Sequence, residues 1–72
     1  QVTDDLQVTR RYLIFLREQL GAAVADLTSF DAAYAAIDWS EFEALPTFEQ
    51  ANRRNAYTVF LEMQNELLEA LP

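Results

Sequence analysis

Residues 48–70 read FEQANRRNAYTVFLEMQNELLEA, and they are the strongest indication of the fold. Apolar residues recur here every three or four positions, which is the spacing of one face of an α-helix. Pro46 ends the preceding segment, and Thr47 with Gln50 predicts a capping box at the start of the helix. We therefore expect one long helix over residues 48–70, and its core-facing side chains are Ala56, Val59, Phe60, Met63, Leu67 and Ala70.

The same helix has a second apolar face. Tyr57, Leu61 and Leu68 lie roughly 120° around the helix from the core-facing set, so apolar residues cover about 200° of its circumference. Packing on one neighbouring helix needs only about 100°. Either the connecting segments cover this face, or it docks on another domain or on a second copy of the chain. Phe15, at the edge of the other long helix, completes the candidate docking face of Phe15, Tyr57, Leu61 and Leu68.

A first long helix is predicted over residues 4–27. Its apolar residues again follow helical spacing, and Gly21 is expected to lie inside it because the pattern continues beyond that position. The predicted core-facing residues are Leu6, Leu13, Leu16, Leu20, Val24 and Leu27.

Two short helices are predicted between the long ones. The first covers residues 29–37 and begins with a capping box of Thr28 and Asp31. The second is about one turn that begins after Asp38 and directs Trp39 and Phe42 inward. The fold class is therefore all-α, with two long antiparallel helices joined by two short ones in a single helical domain over residues 1–72.

Composition restricts the possible functions. The chain has 72 residues, 51% of them hydrophobic, which suits one small folded domain and not a disordered acidic tail. It contains no histidine and no cysteine, which excludes disulfides, thiolate chemistry and Cys/His zinc sites. Its net charge of −7 disfavours nucleic acid and anionic membranes as partners. The cellular compartment stays open.

Charged clusters offer weak candidate sites. Arg10 and Arg11 would approach Arg53 and Arg54 if the long helices were antiparallel, and the four could contact an anion. Pairing of these arginines with nearby carboxylates is the favoured alternative. Carboxylates on the last helix are expected to be a solvated surface, so no metal site and no cofactor are assigned to this chain. Hydroxyl groups lack a histidine base, so the chain alone is not expected to be an enzyme.

Two segments resemble a known family. Residues 9–17, TRRYLIFLR, resemble the T-R-x-Y-L-x-x-L-R helix near the C-terminal end of certain metallo-β-lactamase-fold hydrolases. Residues 48–56, FEQANRRNA, continuing into VFLE at residues 59–62, look like the closing helix of those proteins. The linking stretch from residue 35 to Pro46 fits as well, so the resemblance covers nearly the whole chain.

The resemblance implies a non-catalytic part of a zinc-dependent hydrolase. Members of the family bind zinc through a His-x-His-x-Asp-His cluster and further ligands, and residues 1–5 resemble the segment directly after the loop of their last histidine ligand. We therefore expect a C-terminal fragment that packs on a zinc-binding core and shapes the rim of its active-site cleft. Zinc is expected only in that parent. The alternative is a standalone acidic interaction module that dimerises through Tyr57, Leu61 and Leu68.

Overall fold

The computed structural model describes the backbone of residues 2–71 and the side chains of residues 7–71. Residues 2–71 form three α-helices and no strand: α1 covers Val2–Ala25, α2 covers Phe30–Ala36, and α3 covers Phe48–Ala70. The long helices α1 and α3 pack against each other, and α2 packs on both. The predicted all-α fold built on two long helices is confirmed.

The two long helices run parallel, whereas the sequence predicts an antiparallel pair. Tyr12 contacts Asn52 and Gly21 lies against Met63, so positions along α1 and α3 increase together. The connection explains this direction. The short helix α2 runs antiparallel to α3, with Phe30 beside Phe60 and Tyr34 beside Asn52. It carries the chain back towards the level of Tyr12 before α3 begins.

The first helix ends two residues earlier than predicted, in a Schellman motif. Leu27 has a left-handed backbone with φ of 62°. Its N–H donates to the carbonyl of Val24 at 3.1 Å, and the N–H of Thr28 donates to the carbonyl of Ala23 at 2.8 Å. These two bonds satisfy carbonyl groups that the helix end leaves without partners.

The helix starts also differ from the predicted capping boxes. Ser29, not Thr28, caps α2: its backbone is extended and its Oγ accepts a 3.3 Å bond from the N–H of Ala32. Thr28 lies one residue before the cap position, because the N–H of Ala33 donates to the carbonyl of Ser29. Thr47 precedes α3 with a left-handed backbone and makes no side-chain cap bond. Its hydroxyl donates instead to the carbonyl of Pro46 at 2.6 Å.

The second predicted short helix is a hydrogen-bonded turn over residues 38–45. Asp38 accepts a 3.0 Å bond from the N–H of Ser40, and this hydrogen bonding lowers the pKa of Asp38. The N–H groups of Phe42 and Glu43 both donate to the carbonyl of Trp39. Phe42 is buried and Trp39 is half-buried, so the predicted inward direction of both side chains is confirmed.

The core lies where α1, α2 and the first half of α3 meet. Gly21 lies within α1, as predicted. Leu6 is outside the described side chains. The predictions that Leu13 and Leu27 face the core are wrong. Near Leu13, the buried face of α1 turns towards Tyr12 and Phe15, which pack on Phe42, while Leu27 lies beyond the helix end. The buried residues of the core cluster are Leu16, Leu20, Ala23, Val24, Ala33, Ala56, Val59 and Phe60.

The last turns of α3 extend past the other helices. Gly21 contacts Met63, and α1 ends only four residues later at Ala25, so residues from Leu67 onward lie beyond its end. Leu67 is therefore 41% exposed and Ala70 is exposed, although the apolar spacing predicts that both face the core.

Candidate docking surface

An apolar groove opens where α1 ends, α2 begins and α3 continues outward. We call this the end groove. Its volume is about 390 Å³. Most of its walls are aliphatic or aromatic side chains: Val24, Leu27, Phe30, Phe60, Leu67 and Leu68. Thr28, Ser29 and Gln64 supply its polar edge. The groove is therefore suited to receive an apolar surface that carries a few hydrogen-bonding groups.

Leu27 is the most exposed large apolar side chain among the described residues, at 89%. The Schellman motif causes this exposure, because the left-handed residue at the end of α1 directs its side chain away from the core. Glycine is the usual residue at such a position, since a Cβ makes this backbone unfavourable. Leucine here is thus unfavourable both in backbone conformation and in solvent exposure. The sequence pattern does not reveal this feature, because Leu27 continues the helical spacing.

The predicted docking face is only partly assembled. Tyr57, Leu61 and Leu68 lie along one exposed side of α3, and the ring of Tyr57 also packs on Phe30 with centroids 5.1 Å apart. Phe15 lies elsewhere. It is half-buried, and its ring centroid is 5.1 Å from that of Phe42 and 5.7 Å from that of Trp39. Phe15 therefore closes the core beneath the connecting turn.

The exposed side of α3 forms a continuous stripe, which we call the α3 stripe. Its residues alternate steps of three and four, the spacing of a coiled-coil seam. All are exposed, and they read from the start of the helix to its end: Gln50, Arg54, Tyr57, Leu61, Gln64, Leu68 and Leu71. The apolar pattern of the sequence identifies three of these residues, Tyr57, Leu61 and Leu68. It does not extend to the polar members, or to Leu71 beyond the predicted helix end.

The four candidate anion-binding arginines are distributed over the two long helices. Arg11 pairs with Glu41 at 3.0 Å, and Arg53 pairs with Asp31 at 2.6 Å. Arg10 and Arg54 are exposed. Because both ion pairs are largely solvated, each contributes only about 0–1 kcal/mol to stability.

Arg53 and Arg54 line a second groove, which we call the arginine groove. The guanidinium of Arg53 lies over the rings of Phe30 and Tyr34, 5.1 and 5.2 Å from their centroids. The groove encloses about 620 Å³. Its remaining lining residues are Ser29, Asp31, Gln50 and Tyr57. It therefore combines aromatic surface with cationic groups at the start of α3.

A buried polar network joins all three helices. Asn52 is only 1% exposed, and its Oδ1 accepts a hydrogen bond from the hydroxyl of Tyr12. Its Nδ2 donates to the hydroxyl of Tyr34 at 3.0 Å. Burial raises the pKa of Tyr12, although the nearby Asn55 amide opposes that rise. No local sequence signal predicts this network, because the three residues come together only in the tertiary structure.

Neither metal ligation nor a membrane span is indicated in the part of the chain that the structure describes. Among its side chains, no group of three or more His, Cys, Asp or Glu residues is arranged to hold a metal ion. No described helix is both long enough and apolar enough to cross a membrane.

Comparison with known proteins returned no similarity. No protein-family model, no curated protein and no solved structure matches this sequence. The function is therefore proposed from the surfaces of the molecule and from the resemblance of residues 9–17 and 48–62.

Proposed function

We propose that this chain is a helical docking domain with no catalytic role of its own, and that it packs through the end groove onto another domain. The resemblance of its two long helices to the tail of metallo-β-lactamase-fold hydrolases suggests which domain this is. In this proposal it is the zinc-binding core of such a hydrolase, and the helices shape the rim of its active-site cleft.

The observation that carries the proposal is the exposure of Leu27 at the edge of the apolar end groove. A leucine that is 89% exposed contributes almost nothing to the stability of the isolated fold. Covering its side chain would contribute about 1.5–3 kcal/mol of transfer free energy. Leu67 and Leu68 border the same groove and are also exposed. Contiguous apolar surface of this kind is typical of an interface with another protein surface.

The chemistry of the proposed parent is not assigned to any residue of this chain. Zinc in that family supplies a bound hydroxide as nucleophile, and its ligands include several histidines. This chain contains no histidine, so its residues do not match that set of zinc ligands. We therefore assign no step of the hydrolysis to them. The substrate stays open, because this fold hosts hydrolysis of thioesters, lactams and phosphoesters alike.

The identity of the parent is tested by sequencing the gene upstream of the codon for Gln1. We expect a His-x-His-x-Asp-His motif in the same reading frame. A reading frame that encodes only about these 72 residues would refute the proposed parent.

Docking through the end groove is tested separately, in the protein encoded by the complete reading frame. Leu27→Asp and Leu67→Asp should detach the helices, which hydrogen exchange detects as a roughly tenfold or larger rise in amide exchange around the groove. Leu13→Asp is the control, since Leu13 is 48% exposed and does not line the groove. Equal effects of the three substitutions would refute docking at this groove without affecting the choice of parent.

A standalone acidic interaction module is the second candidate function. The exposed Tyr57, Leu61 and Leu68 favour it, because they form an apolar seam along α3 that remains largely accessible to solvent. The reading frame separates the two candidates, since only a standalone module needs no further domain.

A further inference from the structure

We propose that two copies of this chain associate through their α3 stripes, with the two α3 helices antiparallel and Leu61 next to its own copy at the two-fold axis. This pairing rests on the second candidate function and specifies its partner and register. Gln64 and Leu68 line both the stripe and the end groove, but Arg54, Tyr57 and Leu61 do not line that groove, so substitutions at these three positions test the pairing separately from docking at the end groove.

The spacing of the stripe supports a helix–helix contact. Its residues alternate steps of three and four from Gln50 to Leu71, and this spacing keeps one seam directed at a neighbouring helix. The stripe therefore has the length and continuity of a two-helix interface, whereas the buried face of α3, with Ala56, Val59 and Phe60, already packs on α1 and α2.

The two ends of the stripe have complementary shapes. Arg54 lies seven residues before Leu61 and Leu68 lies seven residues after it, about 10 Å along the helix in each direction. In an antiparallel pair, the projecting Leu68 and Leu71 of one copy come level with the arginine groove of the other. That groove offers about 620 Å³ beside Arg54 and Tyr57. Each copy thus supplies both a projection and a recess, as a two-fold interface requires.

The charges of the two ends are complementary as well. Arg53 and Arg54 lie near the start of α3, and Glu69 lies near its end. With Leu61 at the two-fold axis, Arg54 comes level with Leu68 of the second copy and lies within one residue, about 1.5 Å along the helix, of Glu69. The two-fold axis generates this Arg54–Glu69 proximity twice. A parallel pairing would place Arg54 beside Arg54 and Glu69 beside Glu69. Like charges at these positions would oppose association, so the charge pattern selects the antiparallel direction.

The net charge of the chain sets the conditions for the test. Each copy carries a charge of −7, and two such copies repel each other at low ionic strength. Sedimentation is therefore measured at about 0.15 M salt, where charges more than about 8 Å apart are largely screened. We expect a mass of twice 8.3 kDa at high micromolar concentration.

Substitutions in the stripe test the interface. Leu61→Asp should weaken association by roughly tenfold or more, as loss of a central apolar contact does. Leu13→Asp, at a leucine on α1 that is 48% exposed against 40% for Leu61, should change the association constant by less than about twofold. A wild-type chain that stays monomeric at about 1 mM would overturn the proposal, as would equal effects of the two substitutions.

Charge reversal tests the register. Arg54→Glu and Glu69→Arg should each weaken association about fivefold, and the double variant should recover most of the wild-type affinity. If the double variant weakens association by the product of the two single effects, the antiparallel pairing is overturned. Circular dichroism of each variant verifies that the helices persist.

Engineered cysteines give an independent test, since the chain has none of its own. Leu61→Cys should form a disulfide-linked dimer on oxidation. Arg54→Cys should not link to itself but should link to Leu68→Cys in a mixture. Efficient self-linking of Arg54→Cys would overturn the proposal in favour of a parallel pair.

Discussion

Leu27 has a backbone conformation and a solvent exposure that both lower the stability of the fold. Its left-handed backbone, with φ of 62°, costs a non-glycine residue about 1–2 kcal/mol, yet the Schellman hydrogen bonds require that conformation. The side chain contributes almost no burial in return. The residue is thus unfavourable for the stability of the isolated chain, at the position where the proposed docking would cover it.

Replacing Leu27 with glycine should stabilise the isolated chain. We expect Leu27→Gly to raise the free energy of unfolding by about 0.5–1 kcal/mol. Glycine adopts the left-handed backbone without the steric cost of a Cβ, and this gain exceeds the loss from the greater conformational entropy of the unfolded chain. Urea denaturation measures this change. Leu27→Ala keeps the Cβ and should give no gain, so an equal gain from alanine would contradict the backbone explanation.

Tyr12 makes stability depend on pH at the alkaline end. Its pKa is raised above the ordinary 10.0, mainly by burial, and its proton is donated to Asn52. The unfolded chain therefore loses this proton at a lower pH than the folded chain does. The contribution of Tyr12 to the free energy of unfolding is fully present below about pH 10, and it is lost as the pH rises through the pKa of the folded state.

The pH dependence can be isolated by substitution. Unfolding free energies measured from pH 8 to 11.5 should fall above about pH 10 in the wild type. The fall should be smaller in Tyr12→Phe, which should also cost about 1–2 kcal/mol at neutral pH because the buried Oδ1 of Asn52 loses its hydrogen-bond donor. Tyr57→Phe, at a half-exposed ring, should retain the alkaline fall. Identical pH profiles for wild type and Tyr12→Phe would contradict this assignment.

Among the helices, Gly21 governs how closely α1 and α3 approach. A Cβ added there would lie 2.9 Å from Cε of Met63, closer than a normal contact. The atom it meets is the end of a flexible side chain, which can rotate away at little cost. The two helices are therefore close at this point without being locked by backbone contact.

Gly21→Ala should consequently stabilise the protein. We expect a gain of about 0.5–1 kcal/mol in unfolding free energy from the higher helix propensity of alanine, reduced slightly by the shift of Met63. Thermal unfolding followed by circular dichroism measures it. Gly21→Val adds a branched side chain and should destabilise instead. A loss with alanine would show that Met63 cannot move.

Across the molecule as a whole, the connecting turn is as important as the helices. Phe42 is 1% exposed, and its ring centroid lies 5.4 Å from that of Tyr12 and 5.1 Å from that of Phe15. It thus fixes the returning chain onto α1 before α3 begins. A turn without regular secondary structure supplies one of the largest fully buried side chains.

Phe42→Ala should therefore destabilise the fold strongly. Removing this buried ring should cost about 3–4 kcal/mol, whereas a domain of 72 residues has a total stability of about 4–11 kcal/mol. A lower midpoint of urea unfolding, followed by far-ultraviolet circular dichroism, would show it. Phe48→Ala, at a half-buried ring of the same type, should cost less. Equal losses would mean that Phe42 has no special role.

The overall shape results from the parallel register. The radius of gyration is 13.0 Å, against about 11 Å for a compact chain of this length, and the long axis measures 45 Å. The excess arises because α3 begins near the level of Tyr12 and ends beyond α1. The projecting end of α3 carries Leu67, Leu68 and Leu71, so the same register leaves apolar surface uncovered.

The amino-acid sequence is sufficient to predict the helices of this protein, because their signals are local. Apolar spacing predicts both long helices, and the short Ala-rich helix and the inward turn of Trp39 and Phe42 are predicted from neighbouring residues. The same spacing identifies Tyr57, Leu61 and Leu68 as a second apolar face of α3, and these side chains are exposed. Periodicity encodes which side of a helix is apolar, and this information is present without a structure.

The direction of the long helices, the end of α1 and the buried network are fixed only in the packed molecule. Helical periodicity is the same for parallel and antiparallel neighbours, so only the path of residues 26–47 fixes the direction. The end of α1 depends on a left-handed Leu27, which a pattern of apolar spacing cannot reveal. The contacts of Tyr12 and Tyr34 with Asn52 join residues distant in sequence, and they exist only once all three helices have packed.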